Sequence, residues 1–410
     1  MKKSILLFTI LVLGSCYRPE KPHDFDNGEE KIDYSDDAIR LSKELLIVDT
    51  HIDVPYRLEQ GWEDISQRTG KGHFDYVRAK EGGLNAPFMS VYIPARYQQG
   101  GAREYADKLI NQVYEFEERW PDKFRVATTP EMILDHFVEG LISLPMGMEN
   151  GAPIETDINN IQYFYDRGIR YITLTHSKWN QICDSSYDPD KHWNGLSDFG
   201  KEVIKEMNRV GMMIDVSHVS DSAFYQILDI SRAPVIASHS SCRYYTPGFE
   251  RNMSDDMIRI LASHGGVIQI NFGSYFLDTD FQNTMASAYD YIDEHKLKWG
   301  SDEQIEYLRQ YKIDHKVPEI TIDNVVDHIS HVTTIVGVDY IGLGSDFDGV
   351  NEVPVGLKDV SMYPNLIERL LEDGFSEEDI RKICAGNLFR VWNEVENTAR
   401  SWNQQVLMNN

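Results

Sequence analysis

His51 and Asp53 stand two residues apart at the end of an apolar run covering residues 45–49. In an extended segment such residues point to the same side, so the pair can hold one cation between an imidazole nitrogen and a carboxylate oxygen. The same setting recurs down the chain. Glu149 follows the run 142–148, His176 follows 171–174, His218 follows 212–216 and His239 ends 235–238. Asp346 and Asp348 lie in Gly344-Ser345-Asp346-Phe347-Asp348-Gly349, directly after the run 340–343. Taken singly, a histidine after a strand is more often a hydrogen-bonded structural residue than a ligand. Glu149, ahead of Asn150-Gly151, could shape a turn, and Asp346 and Asp348 could serve as turn or cap residues. Taken together, imidazoles and carboxylates converging on one place need a cation to offset their repulsion. The set contains no cysteine, which suits hydrolytic zinc better than structural zinc. His328 and His331, three apart on a helical pattern, resemble a metal pair only superficially. Their stretch reads as an outer helix remote from the strand ends, so both are assigned to packing or surface. His23 lies in the N-terminal polar stretch. His73, His136, His192, His264, His295 and His315 have no partner at a meaningful spacing.

The elements that must position these residues are short apolar runs alternating with amphipathic helical stretches. Runs at 45–49, 87–92, 142–148, 171–174, 212–216, 235–238, 267–271 and 340–343 read as strands. Helical patterns such as Asp198–Val210 and Asp255–Ser263 lie between them, the latter opened by Ser254 as N-cap. Continuous apolar strands separated by helices indicate a parallel sheet covered on its outer face, and eight of them indicate a closed (β/α)₈ TIM-like barrel. In such barrels chemistry collects at the C-terminal strand ends, which is where the candidate ligands fall. Residues 274–318 form a long, polar, tyrosine-rich insertion expected to place one or two helices over the barrel mouth, although a mobile insertion fits the sequence equally. A helical pattern over Ile322–Val336 and helices over 362–397 close the domain, which spans 35–400 and leaves 401–410 as a tail.

Bulk properties set the surroundings. A chain of 410 residues with 41% hydrophobic and 26% charged residues is a globular composition. A formal net charge of −26 argues against a nucleic-acid partner. Lys2 and Lys3 precede an apolar stretch over residues 5–13, too short to span a bilayer and read as a signal-peptide core. It ends in Leu13-Gly14-Ser15-Cys16, which resembles the bacterial lipobox. Residues 1–15 are then a lipoprotein signal peptide, Cys16 carries the lipid, and residues 16–34 form a flexible tether. The expected location is a bacterial envelope membrane, with the protein exported and lipid-anchored. The alternative is ordinary secretory cleavage with an incidental cysteine. Cys183, Cys242 and Cys384 give no disulfide framework and no Cys-x-x-Cys site, and they read as buried thiols; the sequence does not choose a pair for a single bridge.

Several stretches together resemble the membrane (renal) dipeptidase family, the M19 metallopeptidases of the amidohydrolase superfamily. They are VDTHIDVP at 48–55, YITLTH at 171–176, GLSDFGKEVIKEMNRVGMMIDVSH at 195–218, PVIASHSS at 234–241, Arg251-Asn252, and GLGSDFDG at 342–349. The similarity covers roughly residues 40 to 400. It implies two Zn2+ per chain, with His51 and Asp53 holding one, His218 and His239 the other, and Glu149 bridging both. Metals about 3.5–4 Å apart can share a bridging water and lower its pKa toward neutrality. The resemblance makes Asp346 the proton shuttle, gives His176 the scissile carbonyl and the developing oxyanion, and gives Arg251 the free carboxylate of a dipeptide. It also implies a tendency to dimerise. Two departures stand out: Thr50 and Ile52 where many members have other residues, and an insertion at 274–318 that is longer than usual. Two other readings remain open. One is an amidohydrolase acting on a cyclic amide or an N-acyl amino acid; the other is a non-catalytic lipoprotein that binds metal or peptide. An intact Asp346 counts against the second, since a binder has no need of a proton shuttle.

Overall fold

The computed structural model describes residues 35–298 and 300–409. The stretches expected to be a signal peptide and a tether, with Cys16, fall outside the described residues. Eight parallel strands form one sheet in chain order: β1 (Ile47–Ile52), β2 (Leu84–Tyr92), β3 (Met146–Glu149), β4 (Ile169–Thr173), β5 (Met213–Asp215), β6 (Ile236–Ser240), β7 (Val267–Ile270) and β8 (Ile341–Leu343). Residues of the strands are buried almost throughout, as expected for a sheet with helices outside and side chains filling the inside. The ring closes beyond the end of β8 rather than along it. Asp346 donates its backbone N–H to His51 O at 3.0 Å, and Asp53 donates to Phe347 O at 2.9 Å. The Thr50 hydroxyl, which donates to Ser238 O at 2.5 Å, also lies 3.1 Å from Leu343 O. Closure thus draws the β1 and β8 ends together, and with them His51, Asp53 and Asp346.

The helices follow their sequence signals. Asp198–Val210 starts on Ser197, whose side chain accepts from the Gly200 N–H, and stops at Gly211 in the left-handed region at φ 87°. Asp255–Ser263 is capped by Ser254 as expected, and Ile322–Val336 opens with a capping box from Thr321 and Asn324. The insertion contains two helices, Thr279–His295 and Asp302–His315. The last helix, Asn387–Asn409, continues through the segment read as a tail.

The run 142–148 is a correction. Only Met146–Glu149 belongs to the barrel; Ile142–Leu144 pairs with Phe124–Val126, a strand the sequence reading missed, in a separate two-stranded sheet. Pro145 lacks the N–H that a continuous ladder would need, and it divides the run into two strands on different sheets. The outer-helix reading of His328 holds, and its packing is specific. Buried in full, it accepts from the Cys242 N–H at 2.9 Å through Nδ1, and its Nε2 meets Leu277 O at 3.1 Å. His331 pairs with Asp255 at 2.9 Å. Cys183, Cys242 and Cys384 are buried free thiols. Among the described residues no helix is long and apolar enough to cross a membrane.

The end of the barrel opposite the ligands is sealed by the last helix. Trp392, fully buried, packs its ring 5.5 Å from Phe88, in a cluster with Val48, Tyr171, Met213 and Ile236. Replacing Trp392 with Ala should cost ~3–5 kcal/mol, the range for deleting a buried aromatic ring. The check is the urea midpoint of unfolding; an unchanged midpoint would show that this helix does not hold the barrel floor.

Candidate metal centre

Glu149 is the last residue of β3 and the meeting point of the site. Its Oε1 lies 3.0 Å from His218 Nε2, 3.2 Å from His239 Nε2 and 3.7 Å from His176 Nε2. Its other oxygen, Oε2, lies 3.6 Å from His51 Nε2, and that nitrogen is 3.3 Å from Asp53 Oδ2. One carboxylate therefore faces two groups of ligands. The atoms of His51, Glu149 and His239 fall within 4.8 Å of one another, as do those of Glu149, His176 and His218, and those of His51, Asp53 and Asp346. Of the residues expected at the strand ends, all but Asp348 are brought together here. His239 sits between the groups, its ring stacked 3.7 Å from that of His51 while its Nε2 is 2.9 Å from His218 Nε2.

Two imidazoles have their outer nitrogens fixed. The Tyr171 hydroxyl donates to Thr50 O at 2.9 Å, so at 2.8 Å it accepts from His51 Nδ1–H. The Ser238 hydroxyl donates to Asp215 Oδ2 at 2.6 Å, so at 2.7 Å it accepts from His239 Nδ1–H. In both rings Nε2 is left for the interior, the arrangement by which histidines are oriented toward a metal. His51 Nε2 and Asp53 Oδ1 are buried with no hydrogen-bond partner. Unpartnered buried nitrogen and oxygen atoms converging from several strands, without cysteine, fit a divalent metal.

The electrostatics agree. Burial pushes His218 and His239 well below the usual imidazole range, toward the neutral form a ligand needs, with Arg251 adding to both shifts. Burial alone would raise Glu149, but His176 and His51, with the imidazoles of His218 and His239 close by, hold it well below the usual carboxylate range. Burial lowers His51 as well, yet Tyr171, Glu149 and Asp53 outweigh it and raise this imidazole. A proton there offsets the same carboxylates that a cation would. Asp346, pushed up to about 7 chiefly by burial, accepts from Asn271 Nδ2 at 2.8 Å. Burial also lowers His176, whose Nδ1 has no partner.

Arg251 is buried. Nη1 donates to Ser240 Oγ at 2.7 Å and Nη2 to His239 O at 2.7 Å, while Nε is buried without a partner. No ion pair to Arg251 occurs among the described residues. Above the ligands opens a cavity of about 630 Å³, walled by Tyr56, Tyr92, Tyr187, Tyr275, Phe276 and Tyr289. Arg251 is not part of that wall; it faces the ring of Phe276, which is.

Sequence reasoning assigned no role to Tyr171, Ser238 or Asp215, because inside a buried strand a tyrosine, serine or aspartate carries no spacing signal. Asn271 could have been found, as a polar residue ending the β7 run. His73, set aside for want of a partner, has one. Its ring accepts from the Asp348 N–H at 2.9 Å, and Arg57 Nε stands 3.0 Å from Asp348 Oδ2. Asp348 is thereby tied down, leaving Asp346 as the carboxyl that faces the ligands.

Replacing Glu149 with Ala should strip metal from the protein, whereas His331→Ala, on the outer helix, should leave metal content unchanged. Metal analysis after dialysis of both variants provides the check. Full retention by the Glu149 variant would remove that residue from the centre.

The comparisons with known proteins agree with this geometry. Residues 35–406 match the family model for membrane dipeptidase, peptidase family M19. A probable dipeptidase, PvdM, from Pseudomonas aeruginosa shares 27% identity over 88% of this chain and 98% of its own, with a TM-score of 0.77. A metallopeptidase from Rhodobacter sphaeroides, whose crystal structure holds a phosphinate mimic of the dipeptide L-Ala-D-Ala, shares the fold. Its TM-score is 0.71 at 23% identity, over 86% of this chain and 99% of its own. The match to the family model spans nearly the whole barrel and every candidate ligand, and the chain belongs to the membrane dipeptidase family, the M19 metallopeptidases.

Proposed function

We propose that this protein is a zinc-dependent dipeptidase with two Zn2+ per chain, held by His51, Asp53, Glu149, His218 and His239. The observation that carries the reading is Glu149, whose two oxygens face separate groups of ligands beneath an aromatic-walled cavity. When bound, such ions lower the pKa of water toward neutrality and act as Lewis acids on the scissile carbonyl.

The chain's own residues supply the rest. Asp346, beside His51 and Asp53, takes the proton of the attacking water and delivers it to the leaving amine. His176 lines the cavity, and a neutral imidazole there can donate an N–H to the carbonyl oxygen as negative charge develops. Arg251, set behind the wall ring of Phe276, would read the substrate's C-terminal carboxylate if that ring gives way to it. Of its five N–H groups two are committed to Ser240 and His239, and no carboxylate forms an ion pair with it among the described residues. A dipeptide carries its carboxylate one residue beyond the scissile bond, so a fixed cation measures substrate length.

The test is a panel of dipeptides, their C-terminal amides and N-acyl amino acids, assayed on zinc-loaded protein. Dipeptides should be cleaved and their amides should not, and Arg251→Ala should narrow that difference. Asp346→Asn should retain metal and fold while turnover falls by roughly 10²–10⁴. Turnover of N-acyl amino acids without dipeptides would instead indicate a different amidohydrolase.

The location is a matching proposal. Leu13-Gly14-Ser15-Cys16 supports an exported lipoprotein anchored through Cys16 in a bacterial envelope membrane, and the family resemblance supports a homodimer. Cys16→Ser should move the protein from the membrane to the soluble fraction with catalysis intact. Unchanged partitioning on cell fractionation would overturn the anchor.

A further inference from the structure

Asp215, at the end of β5, is fully buried and surrounded by donors. Oδ1 accepts from the backbone N–H of Ser217 at 3.0 Å and of Ser238 at 2.8 Å. Oδ2 accepts from the hydroxyls of Ser238 at 2.6 Å and Thr173 at 2.5 Å. No cation pairs with it among the described residues, and it touches neither the cavity wall nor a ligand group. A purely structural role is available to it, because β5 and β6 share a single ladder pair, Asp215 with Ile236, and the carboxylate pins the two strands. The Ser238 hydroxyl has a second neighbour, however: His239 Nδ1 at 2.7 Å.

We infer that Asp215 is a positioning residue, which through the Ser238 hydroxyl fixes the tautomer of His239 so that the Nε2 lone pair faces the metal. The inference rests on the metal-centre reading above and adds a residue to it. A serine hydroxyl has one proton. With a carboxylate oxygen accepting at 2.6 Å, that proton points to Asp215, and Ser238 Oγ offers His239 only a lone pair. His239 must then carry its own proton on Nδ1. The opposite tautomer would put N–H on Nε2, where it would donate to Glu149 Oε1 at 3.2 Å and occupy the place of a metal bond.

An amide at 215 reverses the direction of every step. In Asp215→Asn the amide oxygen can still accept from the two backbone N–H groups, while the amide nitrogen must donate to Ser238 Oγ and Thr173 Oγ1. The Ser238 proton then turns to His239 Nδ1, and the imidazole proton moves to Nε2. Ser238→Ala acts differently: it removes the relay without imposing the wrong tautomer. Asp215→Asn should therefore be the more harmful substitution, although it preserves shape and hydrogen-bond number.

The experiment is a competition titration of Zn2+ against a chelator with wild type, Asp215→Asn and Ser238→Ala. Asp215→Asn should lose about 10–100-fold in affinity, the range for groups that orient metal ligands, and Ser238→Ala should lose less. Wild type that fails to bind zinc would sink the metal-centre reading itself. Wild type that binds, with Asp215→Asn binding equally well or Ser238→Ala weakened more, would sink the relay alone. A second measurement needs no variant to fold. Nitrogen NMR of the metal-free wild type should show His239 protonated on Nδ1, and protonation on Nε2 would overturn the inference.

Discussion

The open end of this barrel depends on burying the Glu149 carboxylate among four imidazoles. A carboxylate taken out of water is costly unless hydrogen bonds and opposite charge surround it, and imidazoles crowded on it must stay neutral to act as ligands. The structure answers both demands with one geometry. Burial keeps His218 and His239 in the neutral form, and their Nε2 atoms lie 3.0 and 3.2 Å from Glu149. His51 alone is pushed toward the charged form, and Asp53 and Asp346 add carboxyl groups to the same space, so one imidazole cannot balance them all. The need for cations is thus built into the apolar walls of the barrel, which make the assembled charges expensive.

The backbone bears part of the cost. Asn150, His218, Asp346 and Asp348 all have positive φ, at 79°, 68°, 62° and 67°. Non-glycine residues rarely adopt this region, and here they cluster where strands end and ligands must turn inward. Glycines work alongside them. A Cβ on Gly349 would stand 2.2 Å from Asp53 Oδ2 and 2.3 Å from Asp346 Oδ1, so only glycine lets this loop lie against both carboxylates. Gly147 does the same for Tyr171: a Cβ there would fall 1.9 Å from the ring, displacing the hydroxyl that orients His51.

What the sequence made legible follows from these two kinds of constraint. Ligand types at strand ends could be read because chemistry restricts them to histidine, aspartate and glutamate, and a parallel barrel gathers those ends in one ring. Helices such as Asp198–Val210 could be read from caps and apolar period. The run at 142–148 misled because its apolar residues hide a change of sheet at Pro145. The supports Asp215, Ser238 and Tyr171 stayed hidden for another reason. Their roles arise from contacts such as Tyr171 to His51, 120 residues apart in sequence, and no local pattern encodes them. His73 was missed in the same way, its partner Asp348 being 275 residues distant.

The division between floor and wall bears on how such an enzyme would discriminate among substrates. The ligands stand on strand ends, whereas Tyr275, Phe276, Tyr289 and Asp293 reach the cavity from the insertion at 274–318. That insertion is joined to the loop after β8. Ser274 N–H donates to Glu352 O at 2.9 Å, Lys312 pairs with Glu352 at 2.7 Å, and Gln304 bonds Asn351 at 3.1 Å. The same loop begins with Asp346 and Asp348. Any displacement of the aromatic wall would therefore bear on the segment that carries Asp346. The aromatic wall and the loop that carries Asp346 are thus joined by a few hydrogen bonds, while the candidate ligands stand at the ends of β1, β3, β5 and β6.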